Sequence, residues 1–309
     1  MNDKETRKRP SMLLTGASGM LGRYVVAAFA DHDITALGRG EGNDIRCDLS
    51  CEMPGLPDKS FDIVVHCAGT RDESTAGKVN AEGTGRLLEV LAPNPPEAFV
   101  LISSTDVYGK EFGEDVDESS PTWPSTRFGS SKLDAERMAE KVFKDTDTVL
   151  TILRTVPMFG SGLSGWAQNM FADVLSGRYL HIRGNDAKIS LVTAYDVARS
   201  IRAVYDKGGV YNVSDGHPHT WLELAEAMSA NAGRHHRMTA LPGKWASVLS
   251  GPASIFPGLR RMFDRETMRR RSQTLTFSPE KLKAATGIGF YDTVEVIARR
   301  DTAYPYEEE

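Results

Sequence analysis

Thr15-Gly16-Ala17-Ser18-Gly19-Met20-Leu21-Gly22 follows the short apolar run Met12–Thr15 and opens the helical pattern Leu21–Ala30. Glycines at 16, 19 and 22 permit a tight turn, let backbone N–H groups approach an anion at the positive end of a helix, and let that helix lie close against the strand. A glycine triplet alone says little. Between a strand and a helix it predicts a pyrophosphate-binding turn built from Gly16, Ser18, Gly19, Met20, Leu21 and Gly22.

On the C-terminal side of this turn, the apolar runs Ile34–Leu37, Asp62–His66, Ala98–Ser103 and Val149–Arg154 alternate with the helical patterns Ser74–Leu91 and Ser130–Lys144. Such alternation predicts an α/β fold, a doubly wound parallel sheet of the Rossmann type with its ligand crevice at the carboxyl ends of the strands. Beyond Phe159 the pattern is less regular. It predicts a helix over Trp166–Ser176, strands at Tyr179–Arg183 and Ser190–Val192, a helix from Asp196, and a returning strand Val210–Val213. A helix capped by Thr220 then runs to Ala232, and a last one covers Asp292–Arg299. The expected organisation is a dinucleotide-binding domain over 11–160, to which 190–215 return, a smaller α/β substrate lobe from 161–189 and 216–300, and tails at 1–10 and 301–309.

The chain has 309 residues, 26% of them charged, and a net charge of −5, which gives no broad attraction to nucleic acid. Cys47, Cys51 and Cys67 lack metal-site spacing, and His217 and His219 have no nearby third ligand, so no metal centre is expected. The charged N-terminus lacks the apolar stretch of a secretory signal, and nowhere do about eighteen apolar residues run together. A reducing, cytoplasmic setting is the expectation. Trp245–Leu259 is apolar and is followed by Arg260, Arg261, Arg265 and Arg269–Arg271. It reads as a substrate-lobe helix with a solvated basic face, the alternative being peripheral contact of 245–271 with an anionic membrane.

The Gly-x-x-Gly-x-x-Gly spacing after Thr15 resembles the extended short-chain dehydrogenase/reductases, the NAD-dependent epimerase/dehydratase family, and the likeness spans about residues 11–300. It implies that Asp48 and Leu49 contact an adenine, that Cys67, Ala68 and Gly69 form the loop after the fourth strand, and that Asn80 supports the catalytic site. Leu37-Gly38-Arg39 ends the second strand. An arginine there pairs with a 2′-phosphate, whereas a carboxylate would accept from ribose hydroxyls. Arg39 therefore predicts NADP, with NAD as the alternative if Arg39 only stacks on the adenine.

Ile102-Ser103-Ser104-Thr105-Asp106-Val107-Tyr108-Gly109 resembles the family's Ser-Ser/Thr…Val-Tyr-Gly segment. The resemblance makes Ser104 the hydroxyl that holds the substrate oxygen, places Ser103 at the cofactor, and sets Thr105 and Tyr108 at the substrate. Asp106 reads as a general acid or as the cap of a turn. Leu153-Arg154-Thr155-Val156-Pro157-Met158-Phe159-Gly160 resembles the junction into the substrate lobe. It puts Arg154 and Met158 at the substrate, and Pro157 beside the cofactor where an asparagine is familiar. Asp196, in Tyr195-Asp196-Val197-Ala198, reads as a helix N-cap rather than a catalyst.

Phe128-Gly129-Ser130-Ser131-Lys132-Leu133-Asp134-Ala135-Glu136 looks like the family's Tyr-Gly-x-Ser-Lys-x-x-x-Glu helix. Lys132 would hold the nicotinamide ribose and would lower the pKa of a phenol one helical turn away. Phe128 stands where that phenol would be, so the usual acid/base group is missing. Three explanations stand: an engineered or inactivating exchange of tyrosine, a natural enzyme working with Asp106, Ser104 or water, and a cofactor-binding protein without redox chemistry. The expected function is an NAD(P)-dependent oxidoreductase, epimerase or dehydratase acting on a nucleotide-linked or lipid-linked sugar. The alternatives are a non-catalytic NADP-binding regulator and a reductase of a sterol-like ketone. A homodimer formed through Ser74–Leu91 and Ser130–Lys144 is the expected assembly.

Overall fold

The computed structural model describes residues 9–58, 60–163, 165–233, 238–242 and 265–299. Seven strands form one sheet: β1 (Ser11–Thr15), β2 (Asp33–Gly38), β3 (Ile45–Arg46), β4 (Ile63–His66), β5 (Ala98–Ser104), β6 (Val149–Thr155) and β7 (Gly209–Val213). Their order is β7-β6-β5-β4-β1-β2-β3 and every pairing is parallel. The chain order reverses direction at β1 and β4, which places the ligand crevice at their carboxyl ends. All residues of β4 and β5 are buried, as expected of strands covered on both faces.

Alternation along the strands feeds two cores. Met12, Leu14, Val100 and Ile102 point to one face, where they pack with residues of α1 (Met20–Ala28) and α5 (Ala194–Val204). Leu13, Phe99 and Leu101 point to the other, beneath α2 (Gly83–Leu91) and α3 (Arg127–Phe143). A third core, around Phe159, Met170, Trp221 and Leu224, belongs to the second lobe and joins α4 (Gly165–Leu175) to α6 (Trp221–Asn231).

Local hydrogen bonds shift several expected boundaries. The Thr126 hydroxyl accepts the Gly129 N–H and takes the N-cap, so α3 starts at Arg127 and Phe128 lies in its first turn. The expected helix Ser74–Leu91 is interrupted by a π-helical segment, Gly77–Glu82, ahead of α2. Thr193, not Asp196, is the N-cap of α5. The fully buried Asp196 carboxylate accepts from Arg199 at 2.8 Å and from the Tyr291 N–H at 3.0 Å, which ties the C-terminal segment to α5. Thr220 does cap α6, in a capping box with Glu223.

In the second lobe a four-stranded sheet runs His219–Thr220, Lys188–Ile189, Leu275–Phe277, Gly113–Val116. Gly113–Val116 thus leaves the expected dinucleotide domain to join the lobe. The expected strand Ser190–Val192 is two strands, Lys188–Ile189 and Val192–Thr193, and the second pairs with Met158–Phe159. Trp245–Leu259 lies outside the described residues. Among those described, no helix is long and apolar enough to cross a membrane.

Helix α3 is fastened to the sheet by a buried ion pair. Arg154 on β6 donates to Glu136 on α3 through Nε at 3.1 Å and Nη2 at 2.7 Å, and its Nη1 donates to the Tyr108 hydroxyl at 3.1 Å. The Tyr108 hydroxyl donates to Asn212 Oδ1 on β7 at 2.8 Å, and Ser103 donates to Glu136. Arg154→Met should leave the Glu136 carboxylate buried without its cation and cost about 3–5 kcal/mol, read as a fall in the urea midpoint; an unchanged midpoint would contradict this role.

Candidate functional site

The glycine turn has the geometry a phosphate requires. Gly16 has φ +73°, and a Cβ there would lie 2.9 Å from the Ala68 nitrogen. A Cβ on Gly22 would lie 2.1 Å from the Gly16 carbonyl oxygen, so no side chain fits between turn and helix. Gly19 caps α1 without a side-chain hydrogen bond, and Ser18 and Gly19 are exposed. The first N–H groups of α1, from Met20, Leu21 and Gly22, therefore belong to an uncapped helix end suited to an anion. Arg39 is exposed just past β2. Hydrogen bonds from Ser50, and then the charge of Arg39, hold the Asp48 carboxyl below the usual carboxylate range. Leu49 is buried, and its carbonyl comes close to Gly83 at the start of α2.

A chain of hydrogen bonds runs from the glycine strand to the first turn of α3. Burial pushes His66 down to about 3, so its ring is neutral. Thr84 donates its own proton to the Asn80 carbonyl, so it accepts from His66 Nε2–H at 2.9 Å, and His66 Nδ1 accepts from Thr15 at 2.7 Å. Thr15 in turn accepts the Ala68 N–H at 3.1 Å. Asn80 grips Thr70 from both sides, accepting its N–H at 2.8 Å and donating to its carbonyl at 2.9 Å. It also donates to Ser131 at 3.0 Å, and Ser131 donates to the Phe128 carbonyl at 2.7 Å.

Lys132 is buried and donates to the Ile102 carbonyl at 2.8 Å. Gly69 makes room for it, since a Cβ there would stand 3.1 Å from both Nζ and Asn80 Oδ1. Burial, reinforced by Arg71, pushes the Lys132 ammonium down to about 8, while burial pushes the Cys67 thiol up to about 12 and keeps it protonated. At the end of β5 the Ser104 hydroxyl donates to Asp106 Oδ2 at 2.7 Å and accepts the Asp106 N–H at 3.1 Å. Gly129 lets α3 press onto this turn, because a Cβ there would fall 2.6 Å from the Asp106 carbonyl oxygen. The Phe128 ring is buried beside it.

Next to Asp106 opens a cavity of about 160 Å³ between the two lobes. Lys110, Lys188, Arg269, Arg270 and Arg71 line it against two acids, Asp106 and Glu111, with Trp166 and Trp221 among its apolar walls. Thr105 and Pro157 line it too. Tyr108, Arg154 and Met158 do not, among the described residues. The hydroxyl of Tyr108 and the guanidinium of Arg154 are engaged in the buried network behind β5, and Met158 pairs with Val192 against the core. Ser103 likewise donates to Glu136. Each of these polar groups is thus engaged internally, and Met158 is packed against the core.

Arg71 was not singled out from the sequence. Its guanidinium lies 4.6 Å from the centroid of the Phe128 ring, and its Nη2 donates to Asp106 Oδ2 at 3.2 Å. Only the fold brings the loop after β4 onto the first turn of α3.

The profile of the NAD dependent epimerase/dehydratase family matches residues 12–214. The chain belongs to that family. Over 243 residues this family member is 28% identical to the probable dTDP-4,6-dihydroxy-2-methyloxan-3-one 4-ketoreductase of Streptomyces antibioticus, covering 72% of this chain and 78% of that one. It is 27% identical over 256 residues to the UDP-glucose 4-epimerase of Vibrio cholerae, covering 72% and 76%. UDP-N-acetylglucosamine 4-epimerase from Bacillus cereus superposes with a TM-score of 0.72 at 19% identity over 95% of both chains, a likeness of fold.

Two outcomes check the site. Gly22→Ala should abolish NADPH binding in a fluorescence titration, because backbone rather than a movable side chain blocks the added methyl. NADPH affinity should fall as the pH rises through about 8, where the Lys132 ammonium loses its proton, and Lys132→Met should bind weakly without that pH dependence.

Proposed function

We propose that the chain binds a nicotinamide dinucleotide, NADP in preference to NAD, and interconverts carbinol and ketone on a nucleotide-linked or lipid-linked sugar. The observation that carries this reading is the juxtaposition of Ser104 and Asp106 with a cavity whose basic side chains outnumber its acids. Such a cavity favours a substrate carrying phosphate, and the half-buried Trp166 in its wall adds apolar surface. The residues present fit the cofactor: the uncapped end of α1 and the turn at Gly16 would take its pyrophosphate, Arg39 a 2′-phosphate, and Lys132 the ribose hydroxyls.

A bound nicotinamide supplies or accepts a hydride at the carbinol carbon. The protein's own residues do the rest. Ser104 orients the substrate oxygen, and its hydrogen bond to Asp106 gives the oxygen's proton somewhere to go without a phenol. The mixed identity of the relatives, a ketoreductase and an epimerase, is consistent with this half-reaction and leaves its direction to the substrate lobe.

The absence of a hydroxyl on the buried Phe128 ring favours a second reading, a non-catalytic NADP-binding regulator. One experiment separates the two. The purified protein is incubated with NADPH or NADP and a panel of UDP- and dTDP-linked hexoses and 4-ketohexoses, and cofactor oxidation state is followed by absorbance. Turnover on any member supports catalysis, whereas stoichiometric NADPH binding with no turnover across the panel supports the regulator. In binding alone, NADPH should be held at least tenfold more tightly than NADH, and Arg39→Asp should reverse the order; tighter NADH binding by the unaltered protein overturns the NADP preference.

A further inference from the structure

The missing phenol leaves one electrostatic requirement unmet. In carbinol–ketone interconversion the oxygen gathers negative charge, and a fixed donor or charge aimed at it stabilises the transition state. Lys132 is committed to the Ile102 carbonyl, and Ser104 to Asp106. Arg71 is the cation, among the described residues, that contacts both Asp106 and the Phe128 ring.

Three observations place it. Its guanidinium covers the face of Phe128 at 4.6 Å, a stacking geometry that phenylalanine supports as well as tyrosine. Its Nη2 donates to Asp106 Oδ2, the same oxygen that accepts from Ser104. It also lines the cavity, with its side chain half exposed, so the donors not used on Asp106 are open to a ligand. The loop that carries it is not free to drift, since Asn80 clamps the preceding residue, Thr70, at both its N–H and its carbonyl.

We propose that Arg71 takes over the electrostatic task of the absent phenol, while Asp106 takes over its proton, and that Phe128 serves as the platform on which the guanidinium rests. The inference rests on the catalytic reading above. In the oxidative direction the carbinol C–H bond would break with its electron pair leaving as hydride, which a bound oxidised nicotinamide would accept. The carbinol O–H proton passes to Ser104 Oγ as the Ser104 proton passes to the Asp106 carboxylate, leaving a ketone, a carboxylic acid and the reduced cofactor. Reduction runs the same bonds backwards. Arg71 gives up no proton; it holds the oxygen by hydrogen bonding while that atom carries charge. An aromatic platform without a hydroxyl suits this arrangement, because a phenol oxygen at 128 would compete with the substrate oxygen for the same guanidinium.

The test uses Arg71→Met, Arg71→Lys and Phe128→Tyr in the full chain. Where the unaltered protein turns over a sugar of the panel, Arg71→Met should lower kcat by about 10²–10³, with NADPH affinity within twofold. Arg71→Lys should recover part of the loss, since it keeps charge but not the planar fork. A kcat unchanged by Arg71→Met overturns the inference and leaves the catalytic reading standing. No turnover by the unaltered protein across the panel removes the catalytic reading, and this inference with it.

A second readout needs neither cofactor nor substrate. In the apo-protein carrying Phe128→Tyr, the introduced phenol is titrated by ultraviolet difference spectroscopy against the parent. It should ionise well below the ordinary tyrosine range, and adding Arg71→Met should cut the phenolate fraction about tenfold at a given pH. A phenol insensitive to Arg71 would show that the guanidinium does not reach the reacting oxygen's position.

Discussion

The buried, two-pronged contact between Glu136 and Arg154 is the interaction on which the site's geometry depends. It joins α3 to β6 across the end of β5, in a region where neither charge could be left alone. Because Glu136 lies one helical turn beyond Lys132 and two beyond Phe128, anchoring it sets where both project. The network extends through Tyr108 to Asn212 on β7 and through Ser103 on β5, so the same polar groups that brace the helix also fix the strand end bearing Ser104. Tyr108, Arg154 and Ser103 thus share one buried frame behind the end of β5.

A second frame works from the opposite side. The neutral His66, flanked by Thr15 and Thr84, ties β1 to β4 and to the helix beyond, and Asn80 carries the chain of hydrogen bonds to Ser131. The π-helical turn that holds Asn80 gives this residue its inward position. Its amide serves the loop after β4 and α3 at once. The glycine turn, the Lys132 pocket and the Arg71 loop are therefore positioned by one continuous network rather than by separate accidents of packing.

Within this frame Phe128 is buried and in contact with Arg71, and Asp106 stands within reach of both Arg71 and Ser104. The basic side chains around the adjoining cavity set up a field that favours an anionic substrate, with Asp106 and Glu111 tempering it through their pairs with Arg71 and Arg269.

The parallel sheet, the phosphate turn and the Lys132 helix were legible in the sequence because they depend on local constraints: strand and helix periodicity, the glycines that a close backbone approach demands, and four-residue spacing on a helix. Boundaries were less so, since Thr126 and Thr193 rather than later residues supplied the caps. The internal partners of Tyr108, Arg154, Ser103 and Met158 were not legible in the sequence. A side chain's partner depends on what lies across the fold, and here those partners were other side chains or the core. Arg71 shows the converse. Nothing in its spacing marks it, and only the packing of the loop after β4 against the first turn of α3 brings its charge onto the Phe128 ring. The sequence by itself determined the scaffold and the phenylalanine at 128; tertiary structure alone decided which charges lie beside that ring, because long-range electrostatics follow distance in space and not distance along the chain.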